Sequence, residues 1–572
     1  MPDVRFEKMQ VLIVDDFDNF RNMLTDMLLA LGVINIEVAA SDRVALRLCN
    51  TKAYDIILCD QILGQGKSGQ QVLETLRHTP NRNNDTMFVL ISAETNKNII
   101  MAAFDYEPDD YLTKPITPQI LEQRLSRLLA QRLALAPIYQ ALKDLNIDTA
   151  IDLCRSEIGG GKRYGNHCQK LLGRLLLANA RYSDAEQLFG EILDMRQLDW
   201  AMLGIAKVKK AQGDFEGAKK YLKDIIEFSP MYLKAYDVLV EVYRELNDPH
   251  AQQHILQQAL AISPLSILRQ QALGDVALKN NDVLIAVEAY RNAVLLGENS
   301  CHNNIDVHKN FARSTILLGK IDKDLAKPML REALTSVDSL TDVFGKGTDN
   351  KVVSSLLEAQ LQNAVGDDKK SKDAMIFIEK TIYRKYSSLS LPTKIEWVNA
   401  IRGQGDFVEA ERVTAELLKE YAGNEDALQK IDSLLEEPCS MKNKALIAKI
   451  NKAGIAYYEA KDFAKAVESF KSALVELPQL IGLHLNLLQS LVELLRLNSQ
   501  DEQTLQSAKQ TVGYVSRIIP ATHPQYYRFS QLEEVYKHCV KHGVTDQNIV
   551  RQGVVSERAA EGAEQQKRRS NM

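Results

Sequence analysis

VLIVDD at residues 11–16 decides the fold at the start of this chain, because four apolar residues are followed there by two acidic ones. The same pattern returns as IILCD at residues 56–60 and as FVLIS at residues 88–92. Short apolar runs of this kind are typical of strands that are buried on both faces of a parallel sheet. The sequence therefore predicts an α/β domain in which a polar side chain ends or follows each of three buried strands.

These polar residues predict an acidic pocket suited to phosphate chemistry. The carboxyl ends of parallel strands line one crevice, so we expect Asp15, Asp16, Asp60 and Ser92 to meet there, joined by Lys114. Crowded carboxylates favour a hard cation such as Mg²⁺. Asp60 is the candidate nucleophile, because a carboxylate can attack a phosphoryl group. Lys114 would offset the charge on that group.

Residues 9 to 130 are similar to the receiver domain of two-component response regulators, since all five motif positions occur in the expected order. The resemblance implies a doubly wound, flavodoxin-like α/β fold and a bound Mg²⁺. It also implies a role for each motif residue: the metal ligands Asp15, Asp16, Asp60 and the backbone carbonyl of Ile62, the phosphoacceptor Asp60, the switch hydroxyl Ser92, the switch aromatic Tyr111, and the motif lysine Lys114.

The loop after Asp60 departs from the family pattern. Receivers often carry Met-Pro at this point, whereas this chain has LGQGKSG at residues 63–69. We expect this glycine-bearing loop to close over the pocket, but the lifetime of the phosphoryl group cannot be transferred from other receivers. The alternative is a receiver-like fold that no longer accepts phosphate. Retention of Asp15, Asp16 and Asp60 argues against it.

Composition narrows the class of protein and its compartment. A chain of 572 residues predicts several domains or one long array. A net charge of only −5 gives no reason to expect nucleic-acid binding. We expect no membrane span, because no stretch is apolar over 18 or more residues. Seven scattered cysteines favour reduced thiols, so the cytoplasm is the expected compartment.

Beyond residue 130, helical periodicity replaces the strand-like runs. The clearest unit contains Gly454, Tyr457, Ala466, Phe470 and Pro478. Small residues would let two helices approach closely, and we expect Tyr457 and Phe470 to fill the space between helix pairs. Pro478 would end the second helix. This unit resembles the tetratricopeptide repeat (TPR), a helix-turn-helix of 34 residues, and Pro264 follows Pro230 by that spacing.

The expected organisation is a receiver followed by an all-α TPR superhelix. The predicted boundaries are a receiver domain at 1–130, a helical linker at 131–165, a first part of the TPR array at 166–300, degenerate helical repeats at 301–390, a second part of the array at 391–545 and a disordered tail at 546–572. Stacked repeats present an extended concave groove. We expect that groove to bind a protein or peptide.

The predicted function is that of a cytoplasmic response regulator. A histidine kinase or phosphotransfer protein would phosphorylate Asp60, and Ser92 and Tyr111 would then shift. The last receiver helix, expected over Pro118 to Leu135, would pass this change to the repeats. Self-phosphorylation and self-dephosphorylation are the only chemistry expected, so we do not expect an enzyme. Two alternatives stay open: a phosphorelay competitor that docks on a kinase and blocks transfer to another regulator, or a constitutive TPR scaffold.

Overall fold

The computed structural model describes residues 6–64, 66–78, 86–93, 106–160, 163–280, 282–498, 501–519 and 523–542. The chain forms two compact units, one from residues 1–276 and 288–307 and the other from residues 277–287 and 308–572. The predicted tail at 546–572 lies outside the described residues. None of the described helices is long and apolar enough to cross a membrane.

The first unit begins with the predicted parallel sheet. Its five strands are β1 Gln10–Val14, β2 Asn35–Ala39, β3 Ile56–Asp60, β4 Met87–Ser92 and β5 Asp110–Thr113. They pair in parallel in the order β2-β1-β3-β4-β5. The described helices around the sheet are α1 Asp18–Ala30, α2 Asp42–Thr51, α3 Gly69–His78 and Pro118–Ala134. The doubly wound α/β fold is therefore confirmed.

Alternation along the strands divides the apolar core into two layers. Val11 and Ile13 of β1 pack on one face with Leu24 and Leu28 of α1. Leu12 and Val14 pack on the opposite face, in the layer that also contains the apolar residues of α2 and α3. Successive side chains of a strand point to opposite faces, so a run buried on both faces must be apolar throughout. This geometry explains VLIV before Asp15.

After the helix Pro118–Ala134, the described elements are all helices or short 3₁₀ turns, as the sequence predicts. The helices are Ala136–Lys143, Ile147–Gly159, Gly165–Ala178, Tyr182–Met195, Asp199–Ala211, Phe215–Phe228, Leu233–Glu245, Pro249–Ile262, Ile267–Lys279, Val283–Gly297, Ile305–Ile321, Lys323–Asp338, Leu340–Val343, Thr348–Ala364, Asp368–Lys385, Leu391–Gly403, Phe407–Glu420, Glu425–Ile431, Met441–Glu459, Phe463–Glu476, Ile481–Leu497, Glu502–Ile518 and Tyr526–His542. Short 3₁₀ turns cover Phe6–Lys8, Tyr386–Ser388 and Asp432–Leu434.

The first helices of four consecutive pairs start at residues 165, 199, 233 and 267, each 34 residues after the last. The turn between two helices of a pair is built in the same way in successive repeats. Gly213 has a φ of +84° and Asn247 a φ of +54°, the left-handed conformation that ends a helix. Asp214 and Asp248 follow. The carboxylate of each caps the next helix by accepting a hydrogen bond, at 2.9 Å, from a backbone N–H in the first turn of that helix.

Close approach of neighbouring helices depends on glycine where an aromatic ring is inserted. The Phe189 ring lies between Gly173 and Gly204, and a Cβ at either glycine would come within 2.5 Å of it. The same arrangement places Tyr290 against Gly274, where the distance would be 2.7 Å, and Phe470 against Gly454, where it would be 2.5 Å. At these glycines an added methyl group would have to displace a buried aromatic ring.

We expect Gly204→Ala to lower the free energy of unfolding by about 2 kcal/mol, because the new methyl group must displace the buried Phe189 ring. Gly190→Ala is the matched control, since nothing lies within 4 Å of a Cβ there; it should be neutral or stabilise the helix by about 0.5 kcal/mol. Urea unfolding followed by Trp200 fluorescence in a Trp397→Phe background measures both. Equal effects of the two substitutions would contradict the packing account.

The second unit keeps helix pairs but not the 34-residue spacing. The first helices of the pairs after residue 300 start at residues 305, at the end of the first unit, 348 and 391, so consecutive starts are 43 residues apart. Each of the pairs that begin at 305 and 348 contains helices of 16 to 18 residues, compared with 13 or 14 in the repeats from 165 to 262. Longer helices explain why the repeat pattern between 300 and 390 looked degraded.

The prediction for Tyr457 was wrong. Phe470 is 2% exposed and fills the interior against Gly454, as expected, but the Tyr457 side chain is 40% exposed. The next residue, Tyr458, packs against the buried cluster instead. Adjacent side chains on a helix point about 100° apart. Of the two tyrosines, Tyr458 therefore faces the core, whereas Tyr457 faces outward.

Candidate functional site

The predicted polar residues converge at the carboxyl edge of the sheet. β3 lies between β1 and β4, so Asp60 at the end of β3 is central. Asp15 follows β1 directly, and Ser92 ends β4 in register with Thr113 of β5. Lys114 follows β5 directly. The structure thus brings the side chains of Asp15, Asp60 and Lys114 together, with Ser92 at the end of the neighbouring strand.

Lys114 contacts two buried carboxylates of the pocket at once. Its Nζ atom lies 3.1 Å from Asp15 Oδ2 and 3.0 Å from Asp60 Oδ2. The same ammonium group sits over the Phe20 ring, 3.9 Å from its centroid, an aromatic contact that the sequence analysis did not include. Asp15 is 1% exposed and Asp60 is 6% exposed. Lys114 therefore offsets part of the buried negative charge at the place where a phosphoryl group would arrive.

The acidic side of the pocket fits a hard cation. One carboxylate oxygen from each of Asp15, Asp16 and Asp60 lies within 4.8 Å of the others. Asp16 Oδ1 is buried and accepts no hydrogen bond, which is costly for a carboxylate unless a cation binds it. Mg²⁺ takes one or two carboxylates and fills the remaining positions with water and phosphate oxygens. The donor set present here matches that preference.

Burial raises the pKa of Asp60 from 3.8 to about 6. The hydrogen bond and charge of Lys114 oppose this rise, and the neighbouring Asp15 carboxylate adds to it. The backbone N–H of Gln61 also donates to Asp60 Oδ1 at 2.9 Å, which favours the charged form. The Asp60 carboxylate is ionised at pH 7, but without a cation its burial keeps the charged form unfavourable.

The pKa of Asp60 predicts how stability depends on pH without Mg²⁺. The folded protein holds the proton of the Asp60 carboxyl group more tightly than the unfolded chain does. Protonated Asp60 therefore contributes to stability at low pH, and this contribution is lost as pH rises from about 4 to about 6. Asp60→Asn should therefore stabilise the metal-free receiver at pH 7 by about 2 kcal/mol, with a smaller gain at pH 4.

Pulse proteolysis in urea measures the unfolded fraction for this comparison. Asp26→Asn is the matched control, because Asp26 is exposed on α1; its effect should be near zero at both pH values. A stability gain from Asp60→Asn that is equal at pH 4 and pH 7 would contradict the assigned cause.

The loop after Asp60 is shaped by glycines. Gly64 has a φ of +64°, and a Cβ there would lie 3.2 Å from Asp16 Oδ2. Gly69, the first residue of α3, packs so tightly that a Cβ would lie 2.1 Å from the carbonyl oxygen of Asp60. The side chain of Ile62 is 52% exposed, and this residue lies in the same loop. The glycine-bearing segment therefore runs directly beside the acidic residues.

Ser92 and Tyr111 lie where a change at Asp60 could reach them. Ser92 is 1% exposed, and its carbonyl accepts the backbone N–H of Lys114 at 2.8 Å. Tyr111 pairs with Leu90 of β4 and packs, with Tyr106, on the core layer that contains α2 and α3. Tyr111 is thus turned toward the layer next to α3.

The outer side of α3 contacts the loop at residues 298–302 of the same unit. Glu74 is 1% exposed and accepts hydrogen bonds from Ser300 Oγ and, at 3.1 Å, from the backbone N–H of Cys301. Lys67 donates to the carbonyl of Asn299, and Gln71 donates to the carbonyl of Glu298 at 3.4 Å. Sequence reasoning missed this interface, because its partners are more than 220 residues apart and neither side carries a recognisable motif.

The last receiver helix makes a separate contact with the repeats. Gln131 Nε2 lies 2.8 Å from Nδ1 of His167, on the helix Gly165–Ala178. Tyr139 Oη lies 3.2 Å from Nε2 of the same imidazole. Burial lowers the pKa of His167, so its ring is neutral at pH 7.

The helix predicted over Pro118 to Leu135 ends at Ala134 in the structure, one residue before its predicted end.

Comparisons with known proteins agree with this geometry. Residues 11–126 match the family model of the response regulator receiver domain, and residues 200–230 match that of the tetratricopeptide repeat. The chemotaxis protein CheY of Pseudomonas aeruginosa is 27% identical over 126 residues, which are 21% of this chain and 95% of that protein. CheY-3 of Vibrio cholerae is 27% identical over 128 residues, 21% of this chain and 92% of that protein.

Among solved structures, the chemotaxis response regulator CheY4 of Vibrio cholerae is 25% identical in sequence, with a TM-score of 0.20. The match includes 21% of this chain and 97% of the CheY4 chain. The curated relatives and one family match agree on the receiver domain, and the other family match covers one repeat at residues 200–230. The chain carries a response regulator receiver domain followed by tetratricopeptide repeats.

Proposed function

We propose that this chain is a phosphorylation-gated adaptor, in which the receiver accepts a phosphoryl group on Asp60 and the repeats bind a protein or peptide in response. The observation that carries the proposal is the position of Asp60, which is buried in contact with the Lys114 ammonium and grouped with the carboxylates of Asp15 and Asp16. A phosphoryl group on Asp60 would lie next to the Lys114 ammonium and next to a Mg²⁺ ion held by the three carboxylates.

The donor would be a phosphohistidine of a histidine kinase or phosphotransfer protein. An Asp60 carboxylate oxygen attacks phosphorus, the bond from phosphorus to the donor imidazole breaks, and the imidazole leaves with the bonding electron pair. Lys114 orients the carboxylate and neutralises charge on the transferring group. Ser92 is available to hydrogen-bond a phosphoryl oxygen after transfer. Asp15, Asp16, Asp60 and the carbonyl of Ile62 would hold Mg²⁺, which supplies further charge neutralisation.

Helix α3 is one connection between the pocket and the loop at residues 298–302. It begins at Gly69 against the carbonyl of Asp60, and its outer face bears Glu74, which is bonded to Ser300 and Cys301. A shift at Asp60 large enough to move Gly69 would therefore act on the loop at residues 298–302. The contact of Gln131 with His167 offers a second connection through the last receiver helix. Gating requires that phosphorylation favours one of two arrangements of these contacts.

The output would be protein binding by the repeats rather than catalysis or nucleic-acid binding. Helix pairs that stack at a 34-residue spacing present extended surfaces for peptides or proteins. The net charge of −5 gives no electrostatic basis for binding nucleic acid. None of the seven cysteines, all of which lie in the described ranges, forms a disulfide, which suits a reducing compartment such as the cytoplasm. Phosphorylation and dephosphorylation of Asp60 itself would be the only chemistry.

A capture experiment in lysate of the native cells tests the proposal. The full chain is used with Mg²⁺ and beryllofluoride, which mimics the aspartyl phosphate, and without them; Asp60→Asn is treated in the same two ways. We expect a partner whose capture changes with the mimic for the wild-type chain and does not change for the variant. Identical partners in all four samples would overturn gating and favour a constitutive scaffold. A retained histidine kinase whose transfer to a second receiver is inhibited would favour the phosphorelay competitor.

A further inference from the structure

A second group of metal-binding side chains lies away from the phosphorylation pocket, on the outer side of α3. His78 ends α3, and Cys301 and His302 belong to the loop between the helices Val283–Gly297 and Ile305–Ile321. One ligand atom from each of these three residues lies within 4.8 Å of the other two. A thiol and two imidazoles are the ligands that Zn²⁺ takes most often.

A fourth ligand is present at the same place. Glu74 lies one helical turn before His78, so both side chains are on the same face of α3. Its Oε1 atom is 3.2 Å from Cys301 Sγ and 3.8 Å from His302 Nε2. Bond lengths to Zn²⁺ of about 2.0–2.3 Å place neighbouring ligands of a tetrahedron about 3.3–3.6 Å apart. The distances around Glu74 are already close to that edge length.

The buried charge of Glu74 points independently to a cation. Its side chain is 1% exposed, and Oε1 accepts from the neutral donors Ser300 Oγ, Cys301 Sγ and the backbone N–H of Cys301. A carboxylate that is removed from water is costly unless a positive charge accompanies it. A divalent cation among these side chains would supply that charge.

The surroundings also hold the ligands in place. Tyr106 stacks on the His302 ring with centroids 6.2 Å apart and an angle of 20° between the planes. The rings of His78 and His302 meet edge to face, with centroids 5.0 Å apart. His78 is exposed, so its imidazole can rotate toward the other three ligands without repacking the core.

We propose that Glu74, His78, Cys301 and His302 form a tetrahedral Zn²⁺ site that fastens α3 of the receiver to the repeat loop at residues 298–302. The thiol of Cys301 loses its proton to solvent when the metal binds. The four ligands come from two segments more than 220 residues apart in sequence. The metal therefore acts as a cross-link between the receiver and the first set of repeats, independently of phosphorylation.

Cobalt substitution of the full, untagged chain tests the site, because Co²⁺ in a tetrahedral site with a thiolate gives strong visible bands and a sulfur-to-metal charge-transfer band. We expect one Zn²⁺ per chain after dialysis with zinc, and both Co²⁺ signals in its place. Cys301→Ser should remove the charge-transfer band, and His78→Ala should weaken binding at least about 100-fold. Because His78 is exposed, the second variant should fold normally.

Three controls separate this site from other metal binding. Cys439→Ser and His254→Ala change an exposed cysteine and an exposed histidine elsewhere and should leave the Co²⁺ spectrum unchanged. Asp60→Asn should leave the sulfur-to-metal charge-transfer band unchanged, since that band requires the Cys301 thiolate and the Asp15, Asp16 and Asp60 group offers only carboxylates. Absence of bound zinc in the wild-type chain, or a cobalt spectrum that survives both Cys301→Ser and His78→Ala, would overturn the proposal.

Discussion

Asp60→Asn is expected to reduce incorporation of a phosphoryl group at least about 100-fold, the largest functional effect of any single substitution in this chain. The amide has the same shape, and its single oxygen can accept from one of the two donors that now contact Asp60, the Lys114 ammonium at 3.0 Å and the Gln61 N–H at 2.9 Å. It lacks the carboxylate needed to form an acyl phosphate. Loss of labelling therefore reports chemistry, whereas the fold of the pocket is retained or becomes more stable.

Phosphoryl incorporation is measured with a labelled small-molecule donor such as acetyl phosphate in the presence of Mg²⁺. Asp26→Asn, which alters an exposed carboxylate on α1, should be labelled as the wild-type chain is. The label should also be labile to hydroxylamine, as an acyl phosphate is. An Asp60→Asn chain that still takes up hydroxylamine-sensitive label would show that another carboxylate is the acceptor.

Gly69→Ala is expected to have the largest structural effect, lowering the stability of the receiver by about 3 kcal/mol. The new methyl carbon would lie 2.1 Å from the carbonyl oxygen of Asp60 and 2.9 Å from its carbonyl carbon. Both are backbone atoms, so no rotamer change can relieve the contact. Either α3 or the end of β3 must move, and phosphorylation of Asp60 should fall together with stability.

Gly165→Ala is the matched control, because Gly165 also begins a helix and its Cβ would meet ordinary contacts no closer than 3.8 Å. Both tryptophans, Trp200 and Trp397, lie outside the receiver, so fluorescence does not report its unfolding. Amide hydrogen exchange of peptides from β1 and β3 does. Equal protection in the two variants would contradict the tight contact at Gly69.

Much of the acidic pocket around Asp60 could be predicted because most of its residues lie at or directly after the end of a strand. An apolar run fixes where β1, β3 or β4 ends, and the topology of a parallel sheet brings those ends together, so Asp15, Asp60 and Ser92 follow from local pattern. Lys114 follows DYLT, which is not an apolar run, so its place came from the resemblance to receiver domains. The cation–π contact of Lys114 with Phe20 did not follow. It depends on how α1 is rotated, which an apolar pattern defines only loosely.

The contact between Glu74 and the loop at residues 298–302 could not be predicted from sequence. A glutamate in the middle of a helix is usually solvated, and only the position of a loop more than 220 residues away buries it. The exchange of Tyr457 and Tyr458 has a related cause. Both tyrosines fit the repeat pattern, and the rotation of the helix against its neighbours decides which one is buried.

The regular repeats were recognisable because each turn carries its own signal. A left-handed residue followed by a capping aspartate, as at Gly213 and Asp214, fixes both the end of one helix and the start of the next. Asp367 and Asp406 cap helices in the same way in the second unit. The turn chemistry is thus maintained, while helix length and repeat spacing change after residue 300.

The most direct test of the account is amide hydrogen exchange of the full chain with and without Mg²⁺ and beryllofluoride. The account predicts that the mimic changes protection at residues 69–78 and at residues 298–302 in the wild-type chain, because Gly69 and Glu74 link Asp60 to that loop. The Asp60→Asn chain should show neither change. Changes confined to the pocket itself, or equal changes in the variant, would contradict the claim that phosphorylation at Asp60 controls the repeats.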